Sequence, residues 1–152
     1  MNYVYSLLAV FLLGACTGPR EALVVKQFQL REQVPLAPDE PMTRMEKERR
    51  LHGAVTLAER RNRLGQYFDL LWNDPTGANQ GDVELVFEYQ QGAHASLVKR
   101  KSQKFAASSA SGTAEFSVIG DDFFNGGKVI AWKAMLLRGK RVIAARQSYL
   151  WQ

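Results

Sequence analysis

From Gln66 onward, apolar and polar residues alternate with a period of two. In Val83-Glu84-Leu85-Val86-Phe87-Glu88-Tyr89, residues Val83, Leu85, Phe87 and Tyr89 share one face, with Glu84 and Glu88 opposite. That is the pattern of an antiparallel strand with one solvated side. The same alternation predicts strands over 66–73, 83–90, 96–105, 113–119, 128–138 and 141–151. Turn chemistry separates them at Asn73-Asp74-Pro75-Thr76-Gly77, at Gln90-Gln91-Gly92 and from Gly120 to Gly127. Ala106 to Gly112 holds only Ala, Ser and Gly, the composition of a flexible loop with little to bury. An earlier strand is expected over 22–30, followed by an extended linker where Pro35, Pro38 and Pro41 disfavour helix.

Between linker and strands the period lengthens. Thr43 with Glu46, and Thr56 with Glu59, have capping-box spacing, and Gly53 and Gly65 offer left-handed C-terminal caps. Short helices follow at 44–51 and 57–64. Both are too short to stand alone and must dock on the sheet.

The last two strands form a hairpin. Arg138-Gly139-Lys140-Arg141 gives a two-residue loop with Gly first, suited to a type II′ turn. An uninterrupted register then sets Leu136 opposite Ile143, Ala134 opposite Ala145, and Trp132 opposite Gln147. With Ile130 and Tyr149 these make the core face. The reverse face would pair Lys133 with Arg146, two like charges, yet is otherwise apolar, and the two helices are the candidates to cover it. Six or seven short strands with turns every 8–14 residues predict a mostly β protein. The expected form is a single antiparallel β-sandwich, immunoglobulin-like or fibronectin-like, with two short N-terminal helices.

Composition is that of an ordinary globular domain: 152 residues, 46% hydrophobic and 23% charged. A single cysteine excludes an intrachain disulfide, and two histidines leave little for a metal cage. Residues 3–15 form an uncharged apolar run too short to span a bilayer, which needs ~20 residues. It has the form of a secretory h-region and ends in Leu13-Gly14-Ala15-Cys16. This motif resembles the lipobox of bacterial lipoproteins. The resemblance implies cleavage between Ala15 and Cys16, fatty acylation (palmitate) of the Cys16 sulfur, and a place in the cell envelope. With Thr17 rather than Asp after the cysteine, it points to the outer membrane where the organism has two. The region 22–152 is similar in general form to small envelope lipoproteins with one immunoglobulin-like β-sandwich. The expected organisation is a signal peptide over 1–15, a lipidated tether over 16–21, a strand, linker and basic helices over 22–65, and a sandwich core over 66–152.

Charge is concentrated in the helices. Arg44, Lys47, Arg49, Arg50, Arg60, Arg61 and Arg63 face only three acidic residues there, so this segment carries +4 of the chain's +5. Such a patch fits an anion: anionic lipid, an envelope glycan or another envelope protein. Nucleic acid is set aside because an exported protein does not meet it. Asp121, Asp122 and Asn125 could hold Ca²⁺, but these are also the residues turns select. No nucleophile elbow, phosphate-cradling loop or metal-ligand spacing is present, and no carboxylate pair is singled out. The expectation is a non-enzymatic binding or scaffolding module without cofactor or metal. A subunit of a larger envelope assembly or secretion complex is the alternative, and a small envelope hydrolase a third class.

Overall fold

The alternation over 83–89 is realised as a strand whose inward residues Val83, Leu85, Phe87 and Tyr89 are 2% exposed or less. In the computed structural model, which describes residues 21–32 and 40–151, seven strands are formed among those residues. They are β1 (Leu23–Leu30), β2 (Gly65–Asn73), β3 (Val83–Gln91), β4 (His94–Phe105), β5 (Ser111–Ile119), β6 (Val129–Arg138) and β7 (Arg141–Gln147). All pairings are antiparallel, in a three-stranded sheet β1-β2-β5 and a four-stranded sheet β4-β3-β6-β7. The inner faces share one core, an arrangement consistent with a β-sandwich. Phe87 is its hub, with ring centroids 4.6 Å from Phe68, 5.5 Å from Phe116 and 6.3 Å from Trp132. β1 contributes Leu23 and Val25 to this core, so residues 22–30 belong to the same packed unit as 66–151.

Helix α1 (Pro41–Leu51) lies against the outer side of the three-stranded sheet, and α2 (Leu57–Asn62), none of whose residues is buried, follows it. Leu51 and Leu64 pack there on Leu30, Tyr67, Phe28 and Ile119. The helices therefore do not cover the reverse face of the β6–β7 hairpin, against expectation. Two facts explain the choice: β1 and β2 bring Phe28, Leu30 and Tyr67 to that outer side, and Asp69 and Glu115 await an arginine there. The Thr56–Glu59 capping box forms as read. The one at Thr43–Glu46 does not, because α1 begins earlier, with Glu40 at the N-cap and Pro41 at N1. Glu46 instead turns its carboxylate to Arg49 and Arg50. Gly65 is not a helix cap but opens β2, where a Cβ would lie 2.2 Å from the Val118 carbonyl oxygen. The turn expected from Gly120 onward is a third helix, α3 (Gly120–Gly126).

The hairpin turn holds, with Gly139 at φ 58°, but its register does not. Leu137 faces Val142, and Leu136 then faces Ala144, so Ile143 is an extra residue in β7. A bulge bends the strand and sets Ile143 and Ala144 both against the core. It also moves Lys133 opposite Gln147, which removes the like-charge pair. Arg146 reaches the opposite sheet instead, to Glu21 at 3.0 Å and the Leu23 carbonyl at 3.3 Å. A second irregularity at Gln90/Gln91 leaves Ile130 40% exposed. β7 stops at Gln147 rather than 151, where Ser148 takes over the pairing with Trp132, and Tyr149 is 99% exposed rather than core.

One end is closed by a buried ion pair. Arg138 (3% exposed) donates from Nε to Asp74 Oδ2 at 2.8 Å, from Nη1 to the carbonyls of Gly81 and Ala107, and from Nη2 to that of Ser109. The Ala/Ser segment 106–110 is thus ordered through its backbone, although its side chains bury little. Removing one partner of a buried pair strands the other, at a cost of about 3–5 kcal/mol. Arg138→Met should lower the free energy of unfolding, read from urea denaturation, by that amount. Asp74→Asn in the same chain should recover part of the loss, and equal, additive losses would show that the two residues act separately.

Candidate functional site

The seven basic residues of the helical segment do not form one surface. Arg50 points inward, with 4% of its side chain exposed. Its guanidinium stacks 4.1 Å from the centre of the Tyr67 ring. It donates to Glu46 Oε1 at 2.7 Å and to both Asp69 oxygens at 3.1 and 2.9 Å, and it is ion-paired with Glu115. Arg49, half-exposed, joins the same carboxylates from the rim, 2.7 Å from Glu46. Two guanidiniums among three carboxylates form a lock, one negative charge in excess, that fastens α1 to β2 and β5.

Two more cations hold the turn between the helices. Arg63 donates to the carbonyls of Arg50 and His52, and Arg60 to that of Ala54 at 3.3 Å. These carbonyls lie at the end of α1, where orphan acceptors need donors. Arg61 stacks 4.4 Å above the Phe124 ring, binding α2 to α3. Arg44 is exposed on α1, and Lys47 is half-buried beside it. The segment's positive charge is therefore partly spent on structure, and Arg44, Arg60 and Arg61 remain turned toward solvent. Cys16 and Ala15 lie outside the described residues.

Large apolar side chains share this region: Met42 is 73% exposed, Met45 62%, Val55 83% and Leu57 82%. Phe123 packs into the core, whereas Phe124 is 40% exposed beneath Arg61. The pair thus plugs the end of the molecule with one ring and presents the other.

Several other carboxylates are engaged away from this cluster. Asp122 accepts from Lys99 at 2.6 Å and from the Tyr89 hydroxyl at 3.5 Å. Burial, and then the nearby Asp122 charge, push the Tyr89 hydroxyl up to about 12. Lys101, on the row facing Phe87, donates to the Ser117 carbonyl, and burial lowers its pKa. Glu88 lies opposite Arg100 and Lys133, and Glu84 opposite Lys104, as cross-strand pairs on the outer face. Among the described residues no group of three His, Cys, Asp or Glu side chains is placed to hold a metal ion.

The sequence reading missed Asp69 and Glu115 as partners of Arg50, and Gln91 as the residue that ties α3 to β3. Gln91 is 1% exposed and donates to the carbonyls of Asp122 and Gly127. A signal for the first was present: Asp69 falls on the outward phase of β2 beside Tyr67, where an acidic residue under a helix needs a cation. Compared with known protein families, with curated proteins and with solved structures, the chain matches none of them.

The hydrogen bond from Arg49 first, and then that from Arg50, holds the Glu46 carboxylate down at about 2, against its ordinary 4.5. A depressed carboxylate contributes stability that is full above its unfolded pKa and is lost as pH falls through the folded value. Glu46 is partly exposed, so screening leaves on the order of 1 kcal/mol. Between pH 5 and about 2, therefore, α1 should loosen. The protection factors of α1 amides, exchange rates taken relative to the unfolded chain at the same pH, should fall over that window in the wild type. In Glu46→Gln they should already be low at pH 5 and change little further.

Proposed function

We propose that the chain is an envelope lipoprotein, acylated at Cys16 after cleavage behind Ala15, and that its folded part is a non-enzymatic binding or scaffolding module. The observation that carries this reading is the short distance between motif and fold. Leu23, seven positions after Cys16, is already 1% exposed in β1, and the Ala22 carbonyl accepts from the Asn73 amide at 3.0 Å. A mature protein beginning at Cys16 would carry its acyl chains directly beside a folded domain. One acyl chain alone gives marginal membrane binding, so the several chains of a lipoprotein N-terminus are what such an anchor needs.

Within this reading the domain is an immunoglobulin-like sandwich of the fibronectin kind. The strand order supports that. In the constant-type immunoglobulin arrangement four strands oppose three, with the fourth strand in the first sheet. Here β4 pairs with β3 in the second sheet, giving three against four. The tryptophan that such domains bury on an early strand has a counterpart in Trp72 on β2, which is 3% exposed, whereas Trp132 on β6 is only half-buried.

The binding surface in this reading is the helical region, where exposed Arg44, Arg60 and Arg61 accompany Leu57 and Phe124. Its ligand class is anionic: a polyanionic glycan, an anionic lipid headgroup or an acidic surface of another envelope protein. Membership of a larger envelope assembly is a second reading. It is favoured by the uncovered outer face of the four-stranded sheet, where Val142 is 52% exposed beside half-buried Met135 and Leu137. A stable assembly would copurify with defined proteins from detergent-solubilised membranes.

Labelled palmitate should enter the wild-type chain in bacterial cells and be absent from Cys16→Ser, and a labelled serine variant overturns acylation at this residue. Separately, retention on an immobilised polyanion should weaken as salt rises and fall in the Arg44→Glu, Arg60→Glu, Arg61→Glu triple variant. Retention unchanged by the triple reversal removes the helical surface as the ligand site.

A further inference from the structure

We propose that the Arg138-clamped end of the domain rests on the headgroups of the bilayer that anchors it, and that the end formed by α2 and α3 is presented away from that membrane. The inference rests on the acylation of Cys16 proposed above. Its structural basis is which parts of the chain share an end with the tether.

The described chain starts at Glu21, held at 3.0 Å by Arg146, and Leu23 pairs with Trp72. Five residues from Cys16 to Glu21 span at most ~17 Å. The same end carries three connections. The Asp74 amide donates to the Ala110 carbonyl, Asn79 to Ala107 and Gly139 to Asp82, and Arg138 reaches three carbonyls among them. These connections, 74–82, 106–110 and 139–140, are built of Gly, Ala, Ser, Thr, Pro, Asn and Gln apart from Asp74, Asp82 and Lys140. Asp74 is consumed by Arg138, so within these connections the exposed charges are Asp82 and Lys140, with Arg141 and the Glu21–Arg146 pair beside them. Connections built mostly of small uncharged residues can approach lipid headgroups with little charge to strip of water.

The opposite end lies one strand length away. Seven residue steps from Leu23 to Leu30 span about 23 Å, beyond the reach of the tether. Leu30 pairs there with Gly65, the Gly120 amide donates to the Leu64 carbonyl, and Arg61 covers Phe124. Exposed aromatic and arginine side chains of this kind are the residues that anchor protein contacts.

The test uses the full, acylated chain. Acylation occupies the only native thiol, so one introduced cysteine gives one site for a fluorophore. Gln80→Cys and Ser108→Cys report on the clamped end, and Ala58→Cys and Asn125→Cys on the far end. In proteoliposomes carrying a headgroup nitroxide lipid, the first two should lose most of their fluorescence and the last two keep nearly all of it. Equal loss at both ends, or greater loss at the far end, overturns the orientation while leaving acylation intact. Protein that stays out of the vesicles altogether overturns the acylation reading, and the orientation with it.

Discussion

The arrangement depends on a guanidinium held away from water. Arg138 ends the strand that supplies Trp132, Ala134 and Leu136 to the interior, and in phase with them its side chain turns inward. A charge taken out of water is tolerated only with a counterion and with its remaining donors satisfied. Asp74 supplies the counterion, and the carbonyls of Gly81, Ala107 and Ser109 take the other bonds. Those acceptors belong to the β2–β3 and β4–β5 connections, two of the three places where the chain passes from one sheet to the other, the third being β5–β6 through α3. A single side chain at the end of β6 thereby determines the course of two of these crossings. Asp74 also caps the short 3-10 turn Pro75–Gly77 through the Gly77 amide, so the acid is held by its own loop as well as by the arginine.

The same device recurs on the outer side of the three-stranded sheet, with a different consequence. Arg50 there meets Glu46, Asp69 and Glu115, but one of the three carboxylates comes from its own helix. The lock therefore closes only when α1 is both helical and docked. α1 has no side-chain N-cap and leaves Met42 and Met45 exposed, so apolar burial alone holds it weakly. Its attachment is electrostatic to a degree that the Arg138 end is not. This helix is where the molecule can respond to acid or to a competing anion without disturbing the main core.

Much of this was legible in the residues, and the gaps have a common origin. The period-two pattern located every strand of the core, and the Thr56–Glu59 box marked α2 because both are local signals. What failed was non-local. The bulge at Ile143 cannot be read from the hairpin loop, since it answers to Glu21 and Leu23 at the other end of the chain, which Arg146 reaches only after the shift. Helix α1 went to the β1-β2-β5 side because Asp69 and Glu115, 46 residues apart, become neighbours only by pairing. Asp121-Asp122 has the composition of a turn, yet the segment is helical, with Gln91 and Lys99 donating to the Asp122 carbonyl and carboxylate. Arg138 was legible in part: the phase of β6 puts it inward, although a basic residue beside Gly-Lys looks like an ordinary exposed turn. As for the candidate site, the basic cluster was visible as composition. Which of its members are already engaged was not, because their partners are backbone carbonyls and a ring from other elements.

The two open flanks between the sheets bear on where a partner can bind. An unpaired edge strand invites another chain to add to it, and natural proteins blunt such edges, among other ways, with inward-pointing charge. Here each flank is stitched by one cation that crosses from sheet to sheet. Lys101 on β4 reaches the Ser117 carbonyl of β5, and Arg146 on β7 reaches the Leu23 carbonyl of β1. In both cases the acceptor is an edge carbonyl that would otherwise be offered to an incoming strand. Strand addition at either flank must first break a contact to a half-buried cation, Lys101 in one case, or detach the start of β1 in the other. The surfaces left accessible without such a cost are the α2–α3 end and the outer face of the β6–β7 hairpin. These carry exposed Leu57, Phe124 and Val142, the side chains that the interior does not use.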